Sequence, residues 1–91
     1  MGDIARHLSI SGRVQGVFFR AWSREQADEL GVRGWSCNRP DGHVEAHVEG
    51  DQAAVEAMIG RLRNGPPAAK VEALRTWDAA VFDFEEFEVR P

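Results

Sequence analysis

Cysteine is nearly absent: Cys37 is the only one in 91 residues, so no internal disulfide can form. Also missing is any apolar stretch approaching the roughly 20 residues that a membrane-spanning helix requires. The opening Met-Gly-Asp-Ile-Ala-Arg lacks the apolar run of a secretory signal. These absences point to a reducing, cytoplasmic setting and away from a membrane partner. Positive charge is in short supply too. A formal charge of −4 and a pI near 5.3 give no global basic field for nucleic acid or anionic lipid, so any anion site has to be local. There are no repeats, low-complexity tracts or linkers. With 43% hydrophobic residues, the length suits one domain spanning 1–91, expected to be a monomer.

What is present is strongly patterned. Ile4, Leu8 and Ile10 alternate with His7, Ser9 and Ser11, a period of two that marks a half-buried strand ending at Gly12. The segment Gly12-Arg-Val-Gln-Gly-Val-Phe-Phe-Arg20 is too irregular for a strand and too rich in glycine for a helix, so it reads as a loop. From about Arg20 to Leu30, Trp22, Gln26, Ala27 and Leu30 recur at helical spacing, with Gly31 as the stop. A second strand over Val32 to Asn38 runs into Asn-Arg-Pro-Asp-Gly, a turn in which Pro fixes φ and Gly supplies positive φ. From His43 to Glu49, Val44, Ala46 and Val48 alternate with His43, Glu45, His47 and Glu49, which predicts one exposed polar face. Asp51 caps a second helix whose apolar stripe is Val55, Met58, Ile59 and Leu62. Strands over about Lys70 to Trp77 and around Phe84 to Val89 complete the chain.

This order predicts an α+β, ferredoxin-like βαββαβ sandwich: an antiparallel sheet in spatial order 4-1-3-2, two helices on one face, and a short extra edge strand. In that arrangement the first and second strands run parallel with the third between them. Their carboxyl ends share one sheet edge, which brings the loop before Arg20 close to Asn38.

Charge singles out the same loop. Gly12 to Arg24 holds Arg13, Arg20 and Arg24 with no acid, whereas Glu72 to Arg90 holds six acids against Arg75 and Arg90. Backbone N–H groups of a tight glycine-containing loop entering a helix form a concave anion site. Arg20 falls in the first turn of that helix, where the dipole already presents about half a positive charge. Without an anion it is misplaced; with one, its planar fork donates two hydrogen bonds to phosphate oxygens. Arg13 is expected at the loop rim, Arg24 on the solvated surface, and Phe18 and Phe19 as core and loop-anchoring aromatics.

Asn38 allows two readings. Asparagine is a common turn initiator; alternatively, its side-chain oxygen orients a water for attack on phosphorus. An amide cannot remove a proton at neutral pH, but an acyl phosphate does not ask for that. Its carboxylate leaves without a general acid, and a loose phosphoryl-transfer transition state needs positioning and charge stabilisation. His7, His43 and His47 sit on strands without a metal-ligand partner set and are expected at the surface, so no metal or cofactor is implied. Cys37 is expected to pack, since no histidine is poised to activate it. The Gly12/Gly16 spacing lacks the Gly-Lys-Ser/Thr ending of a nucleotide-binding loop. The acidic third strand argues against RNA.

The runs Gly12-Arg-Val-Gln-Gly-Val-Phe-Phe-Arg20 and Gly34-Trp-Ser-Cys-Asn38-Arg-Pro-Asp-Gly42-His-Val-Glu45 resemble the two signature segments of acylphosphatases. The similarity extends to Gly65-Pro-Pro and Phe87-Glu-Val-Arg. It implies a ferredoxin-like fold, a cofactor-free and metal-independent hydrolysis of acyl phosphates to carboxylate and inorganic phosphate, and Arg20 and Asn38 as the catalytic pair. It also implies a phosphate cradle from Arg13, Val14, Gln15, Gly16, Val17, Phe18 and Phe19 together with Arg20. Ser36-Cys37 departs from the family pattern, in which a larger apolar residue and often an arginine before the asparagine are expected; the departure leaves the pair in place and bears only on substrate preference or local stability. Similar modules open larger carbamoyl-transferring proteins, but no zinc-binding cysteine sets follow here, so a free-standing enzyme is expected. The competing reading is a non-catalytic anion-binding or regulatory module on the same fold.

Overall fold

Alternation of apolar and polar side chains from Ile4 onward builds β1 (Ile4–Arg13), with Leu8 and Ile10 buried on one face and His7 and Ser9 half-exposed on the other. The structure, a computed structural model, describes residues 2–91. After β1 come α1 (Phe19–Leu30), β2 (Arg33–Asn38), β3 (Val44–Gly50), α2 (Gln52–Asn64), β4 (Lys70–Ala79) and β5 (Phe87–Val89). The helix ends follow their residues. Asp51 Oδ2 accepts the Ala53 N–H at 3.2 Å and caps α2. Gly31 closes α1 in the left-handed region at φ 75°.

The sheet order is β4-β1-β3-β2-β5. Pairing is antiparallel for β1 with β3, β1 with β4 and β2 with β3, so the expected 4-1-3-2 core is present. β5 supplies the extra edge strand beside β2, but it runs parallel to β2, and the sheet is mixed rather than wholly antiparallel. β4 and β5 lie at opposite edges, so the chain crosses the sheet and enters β5 along the direction of β2. Both helices pack against the other face. Val55, Met58 and Leu62 of α2 and Phe19 and Ala27 of α1 meet Leu8, Ile10, Val44 and Val48 in one buried cluster.

The face away from the helices differs from its alternation pattern. His43 and Glu45 are half-exposed, but His47 and Glu49, expected in solvent, are buried at 3% and 0% exposure. The crossing segment 80–86 covers them. The rings of Phe82 and Phe84 stand 5.6 and 5.4 Å from the His47 imidazole, and Trp35 stacks on its other side at 6.4 Å. Glu49 accepts the N–H groups of Phe82 and Phe84 at 2.8 and 2.6 Å, and His47 Nε2 lies 3.2 Å from the same carboxylate. Burial alone pushes the Glu49 carboxyl pKa up; the two backbone donors and His47 outweigh it and hold the pKa below its ordinary value. An irregular segment offers backbone donors with no ladder partner, and a buried carboxylate takes two of them.

Candidate active site

β1 and β2 are parallel with β3 between them, and β5 is parallel to β2. Three strand carboxyl ends therefore converge at one edge, where α1 begins. A cleft of about 380 Å³ opens there, lined by Val14, Gly16, Phe18, Phe19, Arg20, Ala21, Asn38 and Val89. The two residues singled out for chemistry share one cavity.

The loop reaches α1 through two left-handed residues, Gly16 at φ 74° and Phe18 at φ 60°. A Cβ at Gly16 would meet nothing within 4 Å, so glycine is favoured there for its backbone freedom rather than for space. Val14 and Phe19, buried at 1% and 2%, pin the two ends of the loop, and Ser23 Oγ donates to the Phe19 carbonyl at 2.7 Å. The N-cap position is Phe18, whose side chain cannot accept a hydrogen bond, and the first turn of α1 has no acidic residue. Among the described residues, the N–H groups of 16–20 find no backbone acceptor. The first N–H groups of a helix lack intrahelical partners, and here they lie along the cleft with the positive end of the dipole behind them.

Arg20 is half-buried, and no carboxylate of the described residues pairs with it. Its Nη1 donates to the backbone carbonyl of Arg90, leaving other guanidinium donors free for a ligand. That carbonyl is held in place by the chain end. The Arg90 N–H donates to Ser36 O at 2.8 Å, and its own guanidinium lies 4.9 Å from the Trp35 ring centroid and 5.8 Å from that of Phe84.

Asn38 ends β2 opposite Val44. Its side-chain amide makes no hydrogen bond to any described residue. A turn-initiating asparagine would bond its own backbone two residues on. In this turn Asp41 does so, its Oδ1 accepting the His43 N–H at 3.0 Å. The Asn38 amide is left open to the cleft.

The remaining loop residues separate. Gln15 directs its side chain to the turn rather than the cleft: Nε2 donates to Arg39 O at 2.8 Å and to His43 O at 2.9 Å. Those carbonyls flank the turn, which is closed by Arg39 N–H to His43 O at 2.8 Å. One amide thus ties the loop before Arg20 to the turn after Asn38. Val17 packs on the core, while Arg13 is exposed at the end of β1 and lies outside the cleft lining. Phe18 is not a core or anchoring aromatic as expected, since it is 84% exposed. The left-handed step at Phe18 turns its ring outward as Phe19 turns in. Arg24 is exposed and Cys37 half-buried, with Cys37 Sγ 3.9 Å from Glu45 Oε1. The Gln15 clamp, the Arg90 carbonyl and the cleft positions of Ala21 and Val89 escape a reading of the sequence. Two of these act through backbone carbonyls, which carry no residue signature.

Known proteins share this fold. Residues 6–89 match the acylphosphatase family model. An acylphosphatase from Anaeromyxobacter sp. (strain Fw109-5) is 48% identical, with 99% of each chain covered. An acylphosphatase structure from Coxiella burnetii superimposes with a TM-score of 0.93 at 36% identity, covering 97% of this chain and 93% of that one. One from Bacillus subtilis gives 0.93 at 30% identity, covering 97% and 99%. This chain therefore belongs to the acylphosphatase family, hydrolases that act on acyl phosphates.

Proposed function

We propose that the cleft at the α1 N-terminus hydrolyses acyl phosphates by in-line attack of water, with Arg20 holding the phosphoryl group and Asn38 placing the water. The observation that carries this is the shared cavity of an arginine without an acidic partner and an amide without a hydrogen bond. The phosphoryl oxygens accept from the guanidinium and from N–H groups of the loop Val14 to Phe19. The Asn38 side-chain oxygen accepts a hydrogen bond from the water, leaving an oxygen lone pair directed at phosphorus. As the new P–O bond forms, the P–O bond to the acyl group breaks and its electron pair leaves on the carboxylate. The water proton passes to phosphate or bulk solvent, so no protein base is required. Fixed donors around the phosphoryl oxygens are set before the reaction, which makes them more effective than water that must reorganise.

Among the described residues, no group of three or more His, Cys, Asp or Glu is placed to hold a metal, and hydrolysis is expected to persist in excess chelator. Arg20→Lys tests the site itself. A point charge replaces a fork, so inorganic phosphate should inhibit the variant less well and most turnover of benzoyl phosphate should be lost while the circular dichroism spectrum is kept. Near wild-type phosphate inhibition would remove Arg20 from the site. No helix of the described residues is long and apolar enough to cross a membrane. A single domain acting as a cytoplasmic monomer fits this, and sedimentation at working concentration checks the monomer.

A further inference from the structure

Four large apolar side chains are exposed among the described residues: Phe18 at 84%, Phe82 at 68%, Trp77 at 49% and Val89 at 39%. Phe18 and Val89 line the same cleft as Arg20 and Asn38. The other large apolar lining, Val14 and Phe19, is buried in the core, so Phe18 and Val89 are the surfaces a ligand can meet. Phe18 also holds φ 60° and ψ 26°, a left-handed conformation that glycine and asparagine enter far more readily than a bulky aromatic. The left-handed step serves the fold by turning Phe19 inward, but the exposed ring does not, because it is mostly in water, and an aromatic is not the residue that this backbone favours. Strained backbone and exposed apolar surface coincide where a ligand uses them.

The charged end of the substrate has its partners in Arg20 and the loop N–H groups; the acyl end has none among them. A cleft of about 380 Å³ falls in the range of small-molecule sites, roughly 300–1,000 Å³, and leaves room beyond the phosphoryl group. We propose that Phe18 and Val89 form the acyl-binding wall and select acyl phosphates with an apolar acyl group, aromatic ones above all. This rests on the phosphoryl group lying at Arg20. A planar acyl group stacked on the Phe18 ring and edged by Val89 hides on the order of 50 Å² of apolar surface, worth about tenfold in kcat/KM.

Benzoyl and acetyl phosphate share the scissile bond and differ in the acyl group, so the change in their kcat/KM ratio from wild type to variant reads the wall, the difference between the two leaving groups cancelling. Phe18→Asn keeps a residue suited to the left-handed backbone and removes the ring. The ratio should fall about tenfold, chiefly through KM for benzoyl phosphate. Because Phe18 gives the phosphate loop its backbone and the acyl group its ring, benzoyl phosphate turnover should fall by a larger factor than acetyl phosphate turnover or inhibition by inorganic phosphate, and the melting temperature should stay at or above wild type. Phe18→Trp should preserve the ratio. Val89→Ser, on a different element, should lower it in the same direction by a smaller factor and decides the matter if Phe18→Asn folds poorly. An unchanged ratio in both variants overturns the proposal. So does a parallel loss for both substrates together with weaker phosphate inhibition, which would make Phe18 a shaper of the loop. Failure of the phosphate site would appear separately, as an Arg20→Lys variant with wild-type phosphate inhibition.

Discussion

At the scale of single residues, the site consists of side chains whose hydrogen-bonding capacity the fold leaves free. Arg20 is legible in the sequence because a cation at a helix N-terminus opposes the dipole, and the structure gives it a carbonyl rather than a carboxylate for company. Asn38 is legible only as one of two alternatives. The open amide, with the turn capped by Asp41 instead, favours the second. Gln15 is legible as a loop residue but not as a clamp, because its partners are the Arg39 and His43 carbonyls, which any residue could supply. Gln15→Met keeps the length of the side chain and removes both donors. Turnover of benzoyl phosphate should fall about tenfold or more, as expected when reacting groups drift by a fraction of an ångström. Phosphate inhibition should change little, since Arg20 and its neighbouring N–H groups remain. Steady-state kinetics with phosphate as competitive inhibitor separates the two.

At the scale of elements, alternation assigns the faces of β1 and β3 correctly, and periodicity places both helices. What alternation cannot report is what lies on top of a face. His47 and Glu49 belong to the polar face by position, yet segment 80–86 buries them, drawn there by the Phe82 and Phe84 contacts with His47. The direction of β5 is equally hidden, because a strand of three residues has too little pattern to show its partner. β1 carries a further constraint near the site. Its register against β4 shifts between Ser11 and Gly12, and Gly12 sits at φ 118°, where an added Cβ would overlap the Lys70 carbonyl oxygen. Gly12→Ala forces β4 away from the end of β1 just before the loop. A loss of about 2–3 kcal/mol is expected, read from the denaturant midpoint.

At the scale of the whole molecule, Glu49 links stability to pH. Its folded-state pKa lies below the ordinary value, near 4.3 for glutamate, so the folded state favours the ionised form more than the unfolded state does. The stability this supplies is complete above about pH 4.3 and is lost as pH falls through the lowered folded value. Glu49→Gln should be less stable at pH 7 by about 2 kcal/mol, the scale of hydrogen bonds to a charged group. The variant should also show a shallower decline on acidification, measured by urea unfolding across a pH series. Because segment 80–86 leads into β5 and so to the Arg90 carbonyl on Arg20, loosening it also reaches the cleft. On the proposed reading, the acidic molecule, at −4 overall, binds its anion through locally arranged backbone donors and Arg20 rather than through net charge.

The central claim is that Asn38 places the attacking water while Arg20 and the loop hold phosphate, and Asn38→Ala tests it most directly. Turnover of benzoyl phosphate, inhibition by inorganic phosphate and the denaturant midpoint are measured on one preparation. The expected result is a fall of roughly 100- to 1,000-fold in kcat and kcat/KM alike, the scale for one group acting in the transition state, with phosphate inhibition and midpoint near wild type. Full turnover per folded molecule with stability lowered by about 1 kcal/mol, as for a lost local hydrogen bond, would contradict it and return Asn38 to the turn.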